Sequence, residues 1–330
     1  MTGVQTCALP IYFGSHDGAF YAVHAYDGTL IWRFNTGAEV AKKPAMTGET
    51  LYVANAADQL FAIDRRSGVQ RWSAHRTPAL GMEIAGYAGP AVAFGKVYMA
   101  YSDGHVVAYD ARDGTERWTP VDLSAEAEQN VGAAPRYLDV DTTPVPDDLQ
   151  AAGHVVYVAS YAGGVYALDA ETGNRIWANE RAIGVTDLTL WNEPAHAPSR
   201  SESWRQDNDG PMMPMRKLLL ASSASSGLWG IEPATGRMIW RDAIPEGGIT
   251  KPVPVAGAIL VGTTRYGLFL MSPRNGRVID GIDMGGGFAQ TPAAYGTRAY
   301  ALSNAGTLIG IQVDTPDHGE LSVGDALSRR

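Results

Sequence analysis

A glycine followed four residues later by tryptophan recurs five times along the chain, at Gly28/Trp32, Gly68/Trp72, Gly114/Trp118, Gly173/Trp177 and Gly236/Trp240. A sixth copy keeps Gly276 but has Asp280 in the tryptophan place. Three copies carry the fuller pattern Ala-x-Asp-x-x-x-Gly-x-x-x-Trp: Ala62/Asp64/Gly68/Trp72, Ala108/Asp110/Gly114/Trp118 and Ala167/Asp169/Gly173/Trp177. Successive glycines stand 40, 46, 59, 63 and 40 residues apart, so the base period is near 40 and three units carry insertions. A repeat of this length means one supersecondary unit stacked on its own copies.

Each unit reads as short strands. In the third, Lys96 to Tyr101 precedes a Ser-Asp-Gly turn, then come His105 to Tyr109, Asp110 to Gly114 and Thr115 to Trp118. β-branched and aromatic residues fill the runs, and Asp-Gly marks the tight turn. In the Asp-x-x-x-Gly turn the carboxylate can accept from following amides, and glycine takes φ > 0 without a Cβ penalty. The tryptophan on the next strand can bury its ring against the neighbouring unit. Four strands per roughly 40 residues is the arithmetic of an all-β propeller built from four-stranded blades. Seven units are countable, the two at the ends incomplete. The first has Tyr12 to Ser15, Ala19 to His24 and Leu30 to Asn35, and the last has Thr291 to Tyr295, Arg298 to Ser303 and Thr307 to Val313. Residues 314–330 read as a polar, disordered tail.

Composition narrows the class of partner. Of 330 residues 45% are hydrophobic and 18% charged, a globular balance. The net charge is −9 and Lys and Arg form no cluster, so a phosphate-tracking surface for nucleic acid is not expected. No apolar run reaches the roughly 18 residues of a membrane span.

Met1 to Ile11 reads, residue for residue, as a translated sequencing-library adapter with its GTG start decoded as Met. Such segments are set aside before fold is read. The propeller is then expected over 12–313, and with Cys7 removed it has no cysteine for a disulfide or a multi-cysteine metal site. Val4-Gln5-Thr6-Cys7 is not a lipobox. A signal peptide is expected upstream.

A longer stretch narrows the family. Leu138-Asp-Val-Asp-Thr-Thr-Pro-Val145, Val155 to Leu168, Asp169 to Trp177, Val185-Thr-Asp-Leu188, Pro252-Val-Pro-Val255, Leu260-Val-Gly-Thr263 and Phe288-Ala-Gln-Thr-Pro292 resemble, in this order, the outer-membrane assembly lipoprotein family BamB. Ile11 to Phe94 follow it too. The resemblance implies an eight-bladed, non-catalytic lipoprotein on the periplasmic face of the outer membrane, needing no cofactor. It binds the POTRA domains of BamA and touches the membrane only through its lipid anchor. Against that pattern this chain lacks the lipid-bearing Cys, the first blade and the start of the second.

Two loops carry the BamA contact in the family. One matches Asp139 and Asp141, which stand two apart in an extended segment, so both side chains point the same way. Such a pair suits an Arg or Lys of a partner, although capping of the loop or internal pairing is the simpler use when the resemblance is left aside. The other matches Met82 and Ile84, an apolar pair, followed by Ala85 where the family has Arg. Arginine often anchors interfaces, so its loss implies either a changed partner or a weaker contact. Residues 189–216 form a long polar, Pro-rich insertion in the fifth unit, of the kind that is functional or disordered. Glu193 and His196 within it lack a third metal ligand.

Two other classes share the repeat. A quinone-dependent dehydrogenase would need a quinone-stacking pocket, Ca²⁺ oxygen ligands and a catalytic Asp. The seven histidines, His16, His24, His75, His105, His154, His196 and His318, show no metal spacing. A generic protein- or carbohydrate-binding propeller is the other alternative. Fold alone does not choose among them.

Overall fold

The computed structural model describes residues 10–77, 87–124, 140–149, 153–193, 217–243, 248–283 and 285–313. Among them lie seven antiparallel sheets. The first holds β1 (Pro10–Gly14), β2 (Ala19–His24) and β3 (Leu30–Asn35). The second holds β4 (Ala45–Thr47), β5 (Thr50–Ala54), β6 (Gln59–Asp64) and β7 (Gln70–His75). The third is β8 (Ala91–Ala93), β9 (Lys96–Ala100), β10 (His105–Asp110) and β11 (Val121–Asp122). The fourth is β12 (Val145–Asp148), β13 (His154–Ser160), β14 (Gly164–Asp169) and β15 (Arg175–Asn179). The fifth is β16 (Val185–Asn192), β17 (Lys217–Ser223), β18 (Gly227–Ile231) and β19 (Met238–Asp242). The sixth is β20 (Val253–Val255), β21 (Ala258–Gly262), β22 (Gly267–Met271) and β23 (Val278–Asp283), and the last is β24 (Ala293–Tyr295), β25 (Arg298–Leu302) and β26 (Leu308–Gln312). Within each sheet the strands pair in chain order, so every blade is a meander. This is the all-β propeller of four-stranded blades, with three strands described in the first and last.

Two compact units divide the chain, Met1–Ile176 and Trp177–Arg330. In unit 1 the core gathers Tyr98, Met99, Tyr101, Tyr109, Trp72 and Trp118, with a smaller cluster around Phe20, Trp32 and Ile63. In unit 2 the clusters centre on Trp191, Leu218, Trp240 and Ile259, and on Leu260, Phe288 and Ala299. The second strands of blades two and three are buried along their whole length, and after Thr50 and Lys96 they read as continuous apolar runs, Leu51 to Ala54 and Val97 to Ala100, rather than alternating ones.

The glycine–tryptophan repeat has a common geometry. Gly68 has φ +71°, and a Cβ placed on it would lie 2.7 Å from the Trp32 ring of the preceding blade. Gly114 stands in the same way over Trp72 and Gly173 over Trp118. In unit 2 Gly236 covers Trp177 and Gly276 covers Trp240. The indole N–H then reaches the same turn: Trp32 Nε1 donates to Arg65 O at 3.0 Å, Trp72 Nε1 to Ala111 O at 3.3 Å and Trp240 Nε1 to Pro273 O at 2.8 Å. Gly28, in the first blade, has nothing within 4 Å of its missing Cβ.

Two strand expectations change. Thr115 to Trp118 is not a strand; Glu116 forms an isolated bridge to Tyr109, and the fourth strand of that blade forms only at Val121–Asp122. Pro120 lies between them and has no amide to give the ladder. The other concerns the insertion at 189–216. Thr189 to Asn192 belong to β16 and pair with Leu220 to Lys217, because Trp191 is a core residue at 4% exposure. Residues 194–216 and 314–330 lie outside the described residues, as do residues 1–9; β1 itself begins at Pro10.

Candidate functional site

Met82, Ile84, Ala85 and Asp139 lie outside the described residues, but the chain on either side of both loops is described. Asp141 sits half-buried rather than on an exposed tip. Its neighbours explain why. The Thr142 hydroxyl, fully buried, donates to Ala159 O at 3.0 Å and accepts from Ala159 N at 2.9 Å. The Thr143 hydroxyl accepts from Gly89 N at 3.0 Å. Gly89 follows the Met82/Ile84 loop, so this one bond ties the ends of the two loops together across 54 residues. A side chain there would disturb the contact, since a Cβ would come 2.9 Å from Thr143 Oγ1 and 3.3 Å from Lys43 O. Tyr87, buried beside it, donates to Glu39 O at 3.2 Å and also meets the Ala41 amide.

The start of each loop, and the residue that follows the second, converge on the turn between β9 and β10. Leu123, just before residues 125–139, donates its amide to Gly104 O at 3.0 Å. Val140, just after them, donates to Tyr101 O at 3.4 Å. Arg76, just before residues 78–86, holds Asp103 with Nε at 2.8 Å and a terminal nitrogen at 2.7 Å. The Arg76 amide bonds Asp58 O at 3.2 Å, in the β5–β6 turn. From that turn the Asp58 carboxylate accepts from the hydroxyl and the amide of Ser102. Beneath lie Tyr101 and Tyr109, with their hydroxyls 2.8 Å apart and the Arg76 guanidinium 5.8 Å from the Tyr101 ring centre.

Burial sets the electrostatics. It pushes the Asp58 carboxyl above its ordinary value; the Ser102 bonds pull against this and the neighbouring Asp103 adds to it. Loss of water works against the Arg76 charge, but its hydrogen bond and attraction to Asp103 outweigh that and raise its pKa. Burial likewise raises Tyr101 and Tyr109. The arrangement fixes the described ends of both loops against the turn between β9 and β10. Among the described residues no three His, Cys, Asp or Glu converge as metal ligands.

Asp58, Ser102, Arg76 and Asp103 were not singled out from sequence. A signal existed. Asp58 fills the turn place held in other blades by Gly18, Gly104 and Gly306, all at positive φ, and it too has φ +54°.

Unit 2 has an open groove of roughly 770 Å³ lined in part by Arg181, Trp229, Arg237 and Arg241. Two of its arginines are already engaged on the protein. Arg237 pairs with Glu232 at 3.3 Å, and Arg241 lies 5.4 Å from the Trp229 ring centre.

A family profile for the outer membrane protein assembly factor BamB matches residues 10–194 and 224–317. The chain belongs to the BamB family. The break in the match, residues 195–223, covers most of the segment between β16 and β17 and β17 itself. An outer membrane protein assembly factor BamB of Yersinia pestis is 26% identical over 287 residues, covering 78% of this chain and 68% of that protein. The crystal structure of BamB from Moraxella catarrhalis superposes with a TM-score of 0.71 at 20% identity, covering 94% of this chain and 84% of that one. A tetrathionate hydrolase of Acidithiobacillus ferrooxidans is also similar, at 23% identity over 305 residues, and this chain spans 56% of its length.

Proposed function

We propose that the chain is a non-catalytic scaffold of outer-membrane β-barrel assembly, working at the periplasmic face of the outer membrane and binding the POTRA domains of BamA. The observation that carries this reading is the Gly89–Thr143 hydrogen bond of 3.0 Å. It holds the segment after Met82 and Ile84 against the segment after Asp139 and Asp141, which supports reading the apolar pair and the acidic pair as parts of one edge. Loops on a rigid β scaffold are the usual place for binding residues. A POTRA surface with a basic residue beside a hydrophobic one fits that edge.

Capture of purified BamA POTRA domains tests it. Asp139→Arg with Asp141→Arg should abolish capture, because losing a hydrogen-bonded interfacial charge pair costs about 2–5 kcal/mol. Since Asp141 is half-buried, Asp139→Arg alone serves as the variant whose fold is least at risk. Undiminished capture by either folded variant removes these residues from the site. The likeness to tetrathionate hydrolase supplies the competing reading, and it has its own assay. Turnover of tetrathionate by the purified chain would replace the scaffold with an enzyme.

A further inference from the structure

Asp58 stands in a place that costs stability. It is 1% exposed, its backbone is left-handed at φ +54°, and burial raises its carboxyl. A β-carbon is disfavoured in that conformation, and a buried charge is disfavoured without full pairing. Only one oxygen is satisfied. Oδ2 takes both bonds from Ser102, while Oδ1 is buried with no hydrogen-bond partner among the described residues. Equivalent turns use Gly18, Gly104 and Gly306 at φ between +80° and +83°, with none of these costs. Strain that the fold does not need, in a turn whose other copies avoid it, points to a use outside stability.

The use follows from what Ser102 belongs to. The turn Tyr101–Gly104 receives the amide of Leu123 on Gly104 O and the amide of Val140 on Tyr101 O. Its Asp103 holds Arg76. Both candidate loops are thus hung from one turn, and Asp58 is the side chain of the preceding blade that clamps it. Resting on the scaffold reading above, we infer that Asp58 is a positioning residue for the BamA-binding edge: through Ser102 it fixes the height and tilt of the turn that carries both loops. It touches no partner itself, being buried.

Asp58→Gly separates this role from a structural one. The variant removes the β-carbon strain and the buried carboxylate together with the clamp. Its melting temperature should equal or exceed the parent's, while its Kd for BamA POTRA domains rises at least tenfold. Amide exchange at Leu123 and Val140 should quicken by a similar factor. Asp58→Asn tolerates the left-handed backbone and keeps an oxygen for Ser102, so it should restore both readouts. Ser102→Ala should match Asp58→Gly, and combining the two should weaken binding no further. Parent-like binding and exchange in a folded Asp58→Gly overturns the inference, as does a fall in melting temperature that accounts for the weaker binding. If the parent fails to bind POTRA domains, the scaffold reading is what has failed, and the exchange rates at Leu123 and Val140 still decide the role of Asp58.

Discussion

The turn between the second and third strands is held by charge in blades two and three of unit 1 and by neutral groups in blades five and six of unit 2. In unit 1 the turns of blades two and three are joined through Asp58, Ser102, Asp103 and Arg76. In unit 2 Ser223 Oγ donates to Ile183 O at 2.7 Å and accepts from the amides of Ser225 and Ser226 at 3.2 and 3.0 Å. One blade further on, Thr263 Oγ1 accepts from the amides of Tyr266 and Gly267 at 3.1 and 3.0 Å. Hydroxyls suffice to close these turns. A carboxylate and a guanidinium cost more to desolvate, and their use at one pair of blades is the feature on which the proposed binding edge rests. The glycine-over-tryptophan packing, by contrast, is common to both units.

That shared packing gives the largest expected effect. Trp72→Ala in unit 1 and Trp240→Ala in unit 2 should each cost about 3–5 kcal/mol in urea unfolding, the usual range for emptying a buried aromatic site. Each indole is under a tenth exposed and loses both its glycine contact and its N–H bond. A cost below about 1 kcal/mol in one unit alone would show that the two do not share this frame.

Gly68→Ala comes next. It should cost about 1 kcal/mol for the left-handed backbone and about 1–3 more for the clash with Trp32. Gly28→Ala, at φ +72° with open space around it, should show only the first part. Equal losses in the two variants would mean that the tryptophan contact contributes nothing.

The third comparison sets charge against hydroxyl. Arg76→Ala leaves the partly buried Asp103 with only the His105 amide and ring as partners, for an expected loss of about 1–3 kcal/mol. Ser223→Ala removes neutral bonds and should lose about 0.5–1.5 kcal/mol. Thermal melts of both variants rank the two; a costlier Ser223→Ala reverses the contrast drawn between the units.

The smallest effect is in pH. Burial raises the Asp58 carboxyl, so it contributes stability that is fully present below its ordinary value of 3.8 and is lost as pH rises through the raised folded value. Asparagine does not titrate. Asp58→Asn should therefore gain melting temperature on the parent as pH is raised from about 3.5 through that window. A difference that stays flat with pH would mean that Asp58 is solvated as well in the fold as in the unfolded chain.

The blade count and the strands flanking each turn were legible from the spacing of residues close in the chain; that a turn glycine packs on the tryptophan of the preceding blade, as Gly68 does on Trp32 rather than Trp72, was not. Period and turn chemistry are local, and every blade repeats them, so each copy corroborates the others. Where a single residue broke the repeat, the reading slipped: Pro120 displaced the fourth strand of blade three, and Trp191 drew the start of the insertion into β16.

The loops expected to bind a partner were legible only as a resemblance of residues, Asp139 and Asp141 in one and Met82 and Ile84 in the other. Their common anchorage was not. Asp58 and Ser102 are 44 residues apart, Arg76 and Asp103 27, and Gly89 and Thr143 54. Nothing in one blade's sequence encodes which side chain of the next it will meet, because that depends on how the sheets stack, and stacking is driven by apolar burial that takes no account of the polar residues it brings together. Sequence by itself determined the blade and its repetition. Only the tertiary structure decided that a buried aspartate, in a place where three other blades keep glycine, holds the turn from which both loops hang.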